Sequence, residues 1–600
     1  MKADSFEKWD INSSTMPFLF FVQSMEEMLF HYGHDSYKVP TLNFHYLCVE
    51  IYNSIQKMEQ EIMDKGNMRP LYDELKEMYL NDYIARKLYG TNFQELFFMK
   101  DDKGDYSRDF SKLQKDPGSD ISIKRIKRTV RFLIDDMMIQ DKYFETLKTE
   151  IKECINNFEF NVQNCQKLSA LSRVLLTELI NRGYSQEYIY SQIKERYYSG
   201  KHEIKDVSTE ITYFLNLFDF QMKKYKVTFP VKKRDAKKLL ELFENIEVSE
   251  NKNGLFGNSS PWIVGIEIES LEPEDARRKA HAVISLCVSL KQYNSHTNKT
   301  FYANQAIVKD LETGKDYYLK KPALLLLRER GKTEQQTYAR IAEIINSFPV
   351  IGDKMINAIN LHTSAMEDQN VSNQLLNLWT IIEVLIEVDK KNSYVKITQI
   401  SNALTTVLNA SYIKSLIEQL LFDLKHCCCE FNDYLSEEVK GKNEIEKMIA
   451  LLVLPEYAQN KQELEAAIYN YPLLRYRIEH YAEQFSDRSK VKNVLEKHRK
   501  RLEWQIMRIY RNRNMIVHDG SHFPYIDLIV QNLHFYVDNL IDTIIFYIGK
   551  GYSSLEVVYS LLSHYEFEHQ LLLEKKDNNK KPLQLGDDFN SVVLGFSYIE

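Results

Sequence analysis

The stretch Leu375-Leu376-Asn377-Leu378-Trp379-Thr380-Ile381-Ile382-Glu383-Val384-Leu385-Ile386 is apolar around almost its full circumference. A helix of that kind is buried on most sides, so the rest of the chain has to supply a packed shell around it. Its one carboxylate, Glu383, has few directions in which to find water and needs a partner. Arg511 or Arg513, far downstream, is the expected partner. A nearby Lys or a solvent gap is the alternative.

Those arginines belong to Arg511-Asn512-Arg513-Asn514-Met515-Ile516-Val517-His518-Asp519-Gly520, at the end of an apolar helix that also carries Trp504, Ile506 and Ile509. Gly520 suits a helix terminator. Arginine stays charged and presents fixed donors that match a phosphate. Histidine takes and gives protons near neutral pH. With a ribose 2′-OH as nucleophile, these are sufficient parts for cutting RNA without a metal, the arginine offsetting charge that develops on the phosphate. The bland reading of His518 is a solvated residue at a helix end, which the helix dipole favours.

The bare Arg-to-His spacing is weak, and Arg475 to His480 repeats it without the following amide. At 100° per residue, Arg513 and His518 point about 140° apart, Asn514 and His518 about 40°, and Arg511 and His518 about 20°. Either arginine can therefore meet the phosphate on geometry alone.

NQLLNLWTIIEVLIE followed by RIYRNRNMIVHDG resembles the HEPN superfamily and, within it, the ApeA-like bacterial defence branch. The resemblance covers roughly residues 365–550. It implies an up-down helical bundle and an R-N-x-x-x-H motif at Arg513, Asn514 and His518. It also implies metal-independent endoribonuclease activity that leaves a 2′,3′-cyclic phosphate and a 5′-OH. The active site is implied to be completed across a homodimer. On this ground Arg513, rather than Arg511, is assigned to the phosphate. One departure is the long segment between the Trp379 helix and the basic helix. A fold alone does not settle activity, and the alternative is a non-cleaving HEPN scaffold that binds RNA or a partner protein.

A net charge of −7 excludes a generic polyanion binder, so any RNA surface has to be local. From Arg488 to Arg513 there are ten Lys/Arg against two Asp/Glu, leading straight into the motif. Lys497, Arg499, Lys500, Arg501 and Arg508 are the expected RNA-backbone contacts. The runs around Lys124–Arg131 and Lys232–Lys238 read as solvated faces. No metal or cofactor is expected. His426-Cys427-Cys428-Cys429 lacks zinc spacing, and Gly331-Lys332-Thr333 is a chance fragment of a phosphate loop. MPFLFFV near the N-terminus is too short to span a membrane. Seven cysteines form no disulfide framework, and a cytoplasmic location is expected.

The fold class read from this pattern is mainly α and multi-domain, with a C-terminal HEPN helical bundle, a small central α/β module and a helical N-terminal region. Residues 1–205 look helical, with spacing that marks helices over 43–59 and 168–181, a stop at Gly183 and a cap at Ser185. Residues 206–350 form the α/β module. Trp262, Val264, Ile266 and Ile268 alternate as a strand, Pro273 opens a helix, and 301–308 with 315–319 suggest a hairpin. The bundle is expected over 351–560 with an insertion at about 390–485, followed by a tail over 561–600. The large non-catalytic part suggests regulation by a phage-derived or cellular trigger, as in antiviral or toxin effectors.

Overall fold

The computed structural model describes residues 9–29, 38–98, 116–199, 203–204, 206–231, 246–251, 256, 262–296, 305–319, 334–368, 370–386, 393–428, 430–574, 581–584 and 588–595. The chain is mainly helical (74%), with one five-stranded antiparallel sheet, which is the expected fold class. It divides into two compact units, one built from Met1–Thr177 with Leu327–Glu600 and the other from Glu178–Leu326. The boundaries expected from the sequence lie near 205 and 350.

In the smaller unit the strand order is β2-β3-β1-β4-β5, with β1 Lys223–Val231, β2 Ile246–Glu250, β3 Trp262–Ser270, β4 Ala306–Asp310 and β5 Asp316–Leu319. Tyr225, Val227, Phe229 and Val231 alternate onto one buried face. The helix Pro273–Ser295, with proline in its first turn, covers that face through Ala276, Ala280, Ile284 and Cys287. The expected hairpin is β4–β5, and its turn passes through Gly314 at φ 73. Residues 301–304 and the charged run 232–238 lie outside the described residues, as does 331–333.

Among its described residues the larger unit is built of helices joined by turns and loops. The helix Val371–Leu385 packs against Pro349–Glu367, Ile526–Gly549 and the 32-residue helix Arg488–Asp519, hereafter the motif helix. Leu375, Leu378, Trp379, Ile381, Ile382 and Leu385 are buried, and the Trp379 ring lies 5.7 Å from that of Tyr510. Two helices, Glu334–Ser347 and Pro349–Glu367, meet so closely at Gly352 that a Cβ there would sit 2.8 Å from the Ile345 Cα. That closeness requires glycine.

Two parts of the chain are more deeply built in than their sequence suggested. The expected insertion forms its own core from Tyr412–Cys427, Glu444–Val453 and Pro472–Gln484, and the C-terminal helix Phe589–Leu594 plugs that core. Residues 589–594 of the expected tail over 561–600 are therefore part of a core. Phe589, Val592, Val593 and Leu594 are buried because they complete an apolar surface the insertion leaves open. Near the N-terminus, the helix Met16–Leu29, which contains MPFLFFV, is a buried core element. Arg477 ties it to the insertion by pairing with Glu27 and, at 2.9 Å, with Asp423. Among the described residues no helix is long and apolar enough to cross a membrane.

Candidate active site

The motif helix ends as its sequence requires. Asp487 caps its start, and Gly520 at φ 63 closes it with its N–H donating to Ile516 O at 3.2 Å. The chain then turns back through a buried amide. Asn512 donates from Nδ2 to Arg508 O at 3.0 Å and accepts the Phe523 N–H at Oδ1, also at 3.0 Å. Sequence reasoning passed over Asn512 because nothing in RNRN distinguishes the structural amide from Asn514.

The other polar residues of the motif have different fates. Arg511 is only 1% exposed and donates from Nη2 to Glu50 Oε1 at 2.6 Å. Arg513 is half-buried and donates from Nη1 to Asn514 Oδ1 at 3.2 Å, so the cation and the amide stand together at the surface. His518 is exposed and has no hydrogen-bond partner among the described residues. Asp519 follows it, paired with Lys57 at 2.5 Å and accepting from Ser521 Oγ at 2.5 Å. Those two bonds hold its carboxyl below the usual range.

The helical wheel placed Arg511 and His518 on one stripe, yet one is buried and the other open. The N-terminal helix Phe44–Glu59 explains the split. Its Glu50 meets Arg508 and Arg511, and its Lys57 meets Asp519, so it runs beside the motif helix in the same direction. It covers the stripe at Arg511 and reaches its own end near His518. The fold thus pairs Arg511 with a carboxylate and leaves Arg513 half-buried, with no carboxylate in ion-pair reach among the described residues.

Glu383 does not meet either arginine. It accepts from Lys396 Nζ at 2.9 Å and from Trp379 Nε1 at 3.0 Å. The expectation of an Arg513 or Arg511 partner is therefore corrected, since Arg511 is already paired with Glu50 and a closer lysine serves Glu383. Arg508 is likewise corrected as an RNA contact. It is buried, donating from Nε to Glu50 Oε2 at 2.9 Å and from Nη2 to both Glu74 oxygens at 2.7 Å. Two carboxylates and two guanidinium groups thus balance inside the unit. Burial alone would raise Glu50, but Arg508 and Arg511 outweigh it and hold the carboxyl below its ordinary value. Arg499 is tied to Glu503 at 3.2 Å and to Glu566. Lys497, Lys500 and Arg501 stay exposed.

The rival pair is built differently. His480 is packed at 5.3 Å on Tyr476, its Nδ1 is within 3.2 Å of Gln166 Nε2, and burial with nearby Arg173, Arg477 and Lys497 pushes it down to about 4. Arg475 lies over the Phe160 ring at 4.3 Å. Neither is presented as Arg513 and His518 are.

A second histidine near the motif escaped the sequence reading. His522 is exposed four residues beyond His518, and its Nδ1 lies 2.9 Å from Phe523 O. A carbonyl can only accept, so Nδ1 is the donor of this bond. Cys427 is half-buried and Cys428 buried, while Cys429 lies outside the described residues.

No family model, curated protein or solved structure matches this chain.

Proposed function

We propose that the chain is a metal-independent endoribonuclease centred on Arg513, Asn514 and His518. The observation that carries this reading is a contrast within one helix end. Arg511 and Asn512 are buried and hydrogen-bonded and Asp519 is ion-paired with Lys57, whereas His518 is exposed with no hydrogen-bond partner among the described residues and half-buried Arg513 bonds its neighbour Asn514. The resemblance of RNRNMIVH to the HEPN motif supports the same assignment.

In the proposed reaction His518 removes the ribose 2′-OH proton, the 2′-oxygen attacks phosphorus, and the 5′-oxygen leaves with a proton. The products are a 2′,3′-cyclic phosphate and a 5′-OH. Arg513 offsets charge on the phosphate oxygens, and Asn514 fixes the guanidinium. In-line displacement puts base and acid on opposite sides of phosphorus, farther apart than one imidazole reaches. Two copies facing each other, with the exposed Val517 and His518 near a two-fold axis, supply both. The N-terminal helices grip the motif helix through Glu50, Glu74 and Lys57, which suits an anti-phage or toxin-like effector released by a cue.

The test is incubation of purified protein with total RNA in excess EDTA. Cleavage leaving cyclic-phosphate ends supports the proposal. RNA that stays intact under every condition, including phage infection, favours a non-cleaving scaffold.

A further inference from the structure

A cavity of about 490 Å³ opens beside the motif helix, well away from His518. Motif-helix residues 497–508 form one wall, and the others come from 38–42, Met68–Asn81, Arg173 and Ile526–Gly549. Lys497, Arg501, Trp504 and Arg508 follow one another at spacings of four, three and four, which is a single stripe of the helix. Arg508 forms the floor, already neutralised by Glu74 and Glu50.

Five further cations line this space: Lys38, Arg173, Lys497, Lys500 and Arg501. Among the described lining residues the carboxylates are Glu74, bound to Arg508, and Glu77, so cationic side chains outnumber them. Lys497, Lys500 and Arg501 are exposed and have no carboxylate within ion-pair reach among the described residues. Trp504 is half-buried between them and the floor, and among the described residues its ring has no stacking partner and its indole N–H no acceptor. Asn532 and Asn81 add amides that both donate and accept. A cluster of cations beside an unpartnered aromatic face and amides suits a phosphate attached to a flat, edge-polar ring. The volume lies within the range of about 300–1,000 Å³ typical of small-ligand sites.

We propose that this cavity binds a nucleoside phosphate, its base against Trp504 and its phosphate among Lys497, Lys500 and Arg501. Arg501 precedes Arg513 by twelve residues, about 18 Å along the helix, so one nucleotide cannot fill both places. The nucleotide is either free or one unit of an RNA strand running along the helix. Binding holds whether or not the motif cleaves RNA, because it is an equilibrium property measured without turnover.

The test uses full-length His518→Ala protein in EDTA, so that no probe is cut, with labelled ATP and a short single-stranded oligoribonucleotide as probes. Saturable binding is expected for at least one probe. Lys500→Glu with Arg501→Glu should weaken it about tenfold or more, because phosphate contacts dominate such binding. Trp504→Leu should weaken it several-fold, with circular dichroism confirming that each variant is folded. ATP bound one per chain identifies a free nucleotide, whereas oligonucleotide binding that ATP does not displace identifies a strand. Binding of neither probe overturns the proposal. So does binding that survives both sets of substitutions, or displacement by polyglutamate as effective as by unlabelled nucleotide.

Discussion

Arg511→Ala and Arg513→Ala differ by two residues and should fail in opposite ways. Arg511 is 1% exposed and holds Glu50 at 2.6 Å, and Glu50 is itself fully buried and shared with Arg508. Truncating Arg511 leaves that carboxylate with one guanidinium instead of two and opens a void where the arginine stem packed. Removing one member of a buried pair costs about 3–5 kcal/mol. Arg513 is half-buried and makes one hydrogen bond, to Asn514, so its truncation should cost under about 1 kcal/mol. Urea unfolding followed by circular dichroism measures both. The Glu50→Gln/Arg511→Met pair closes a double-mutant cycle and should lose less than the two single changes summed. RNA cleavage per folded molecule is the second readout. Arg513→Ala should lower it by about 10²–10³, the scale for losing a charge-stabilising donor. Arg511→Ala should keep activity in proportion to the fraction folded. A stable but inactive Arg511→Ala protein, with Arg513→Ala active, would refute the assignment of roles.

His518→Ala should reduce cleavage by about 10²–10⁴ with unchanged melting, and mixing it with wild-type chains should give inactive heterodimers. Activity proportional to the wild-type fraction, or a fully active monomer in sedimentation, would sink the composite site. Stability should fall on acidification: burial pushes His480 and His534 down to about 4, against about 6.5 in the unfolded chain. The unfolded state therefore gains protons first, so stability is full above about pH 6.5 and is lost as pH falls toward 4, by on the order of 1–3 kcal/mol per ring. His480→Gln and His534→Gln should flatten the urea midpoint across that window, and a midpoint already flat in the wild type would contradict the burial argument. Glu383→Ala should cost roughly 1–2 kcal/mol through Lys396 and Trp379, with cleavage per folded molecule retained. A loss of activity at full stability would restore a catalytic role for Glu383.

Local signals determined a good deal. The apolar circumference of 375–386 demanded a buried helix, Asn43 and Ser185 marked helix starts, Gly520 marked a stop, and the alternation over 262–268 marked a strand. Each depends on residues within a turn or two of one another, so periodicity and capping suffice to read it. The same holds for the outward placement of His518 at a helix end. What the tertiary structure alone decided is which charges are paired internally and which are left without an opposite charge. Helical geometry left Arg511 and Arg513 both able to meet a phosphate and read Arg508 as a surface contact, but Glu50 and Glu74, more than 400 positions upstream, pair with Arg508 and Arg511 and leave Arg513. Lys396 takes Glu383 by the same competition. A buried charge goes to whichever opposite charge the fold brings within hydrogen-bond reach, and that distance is not a function of spacing along the chain.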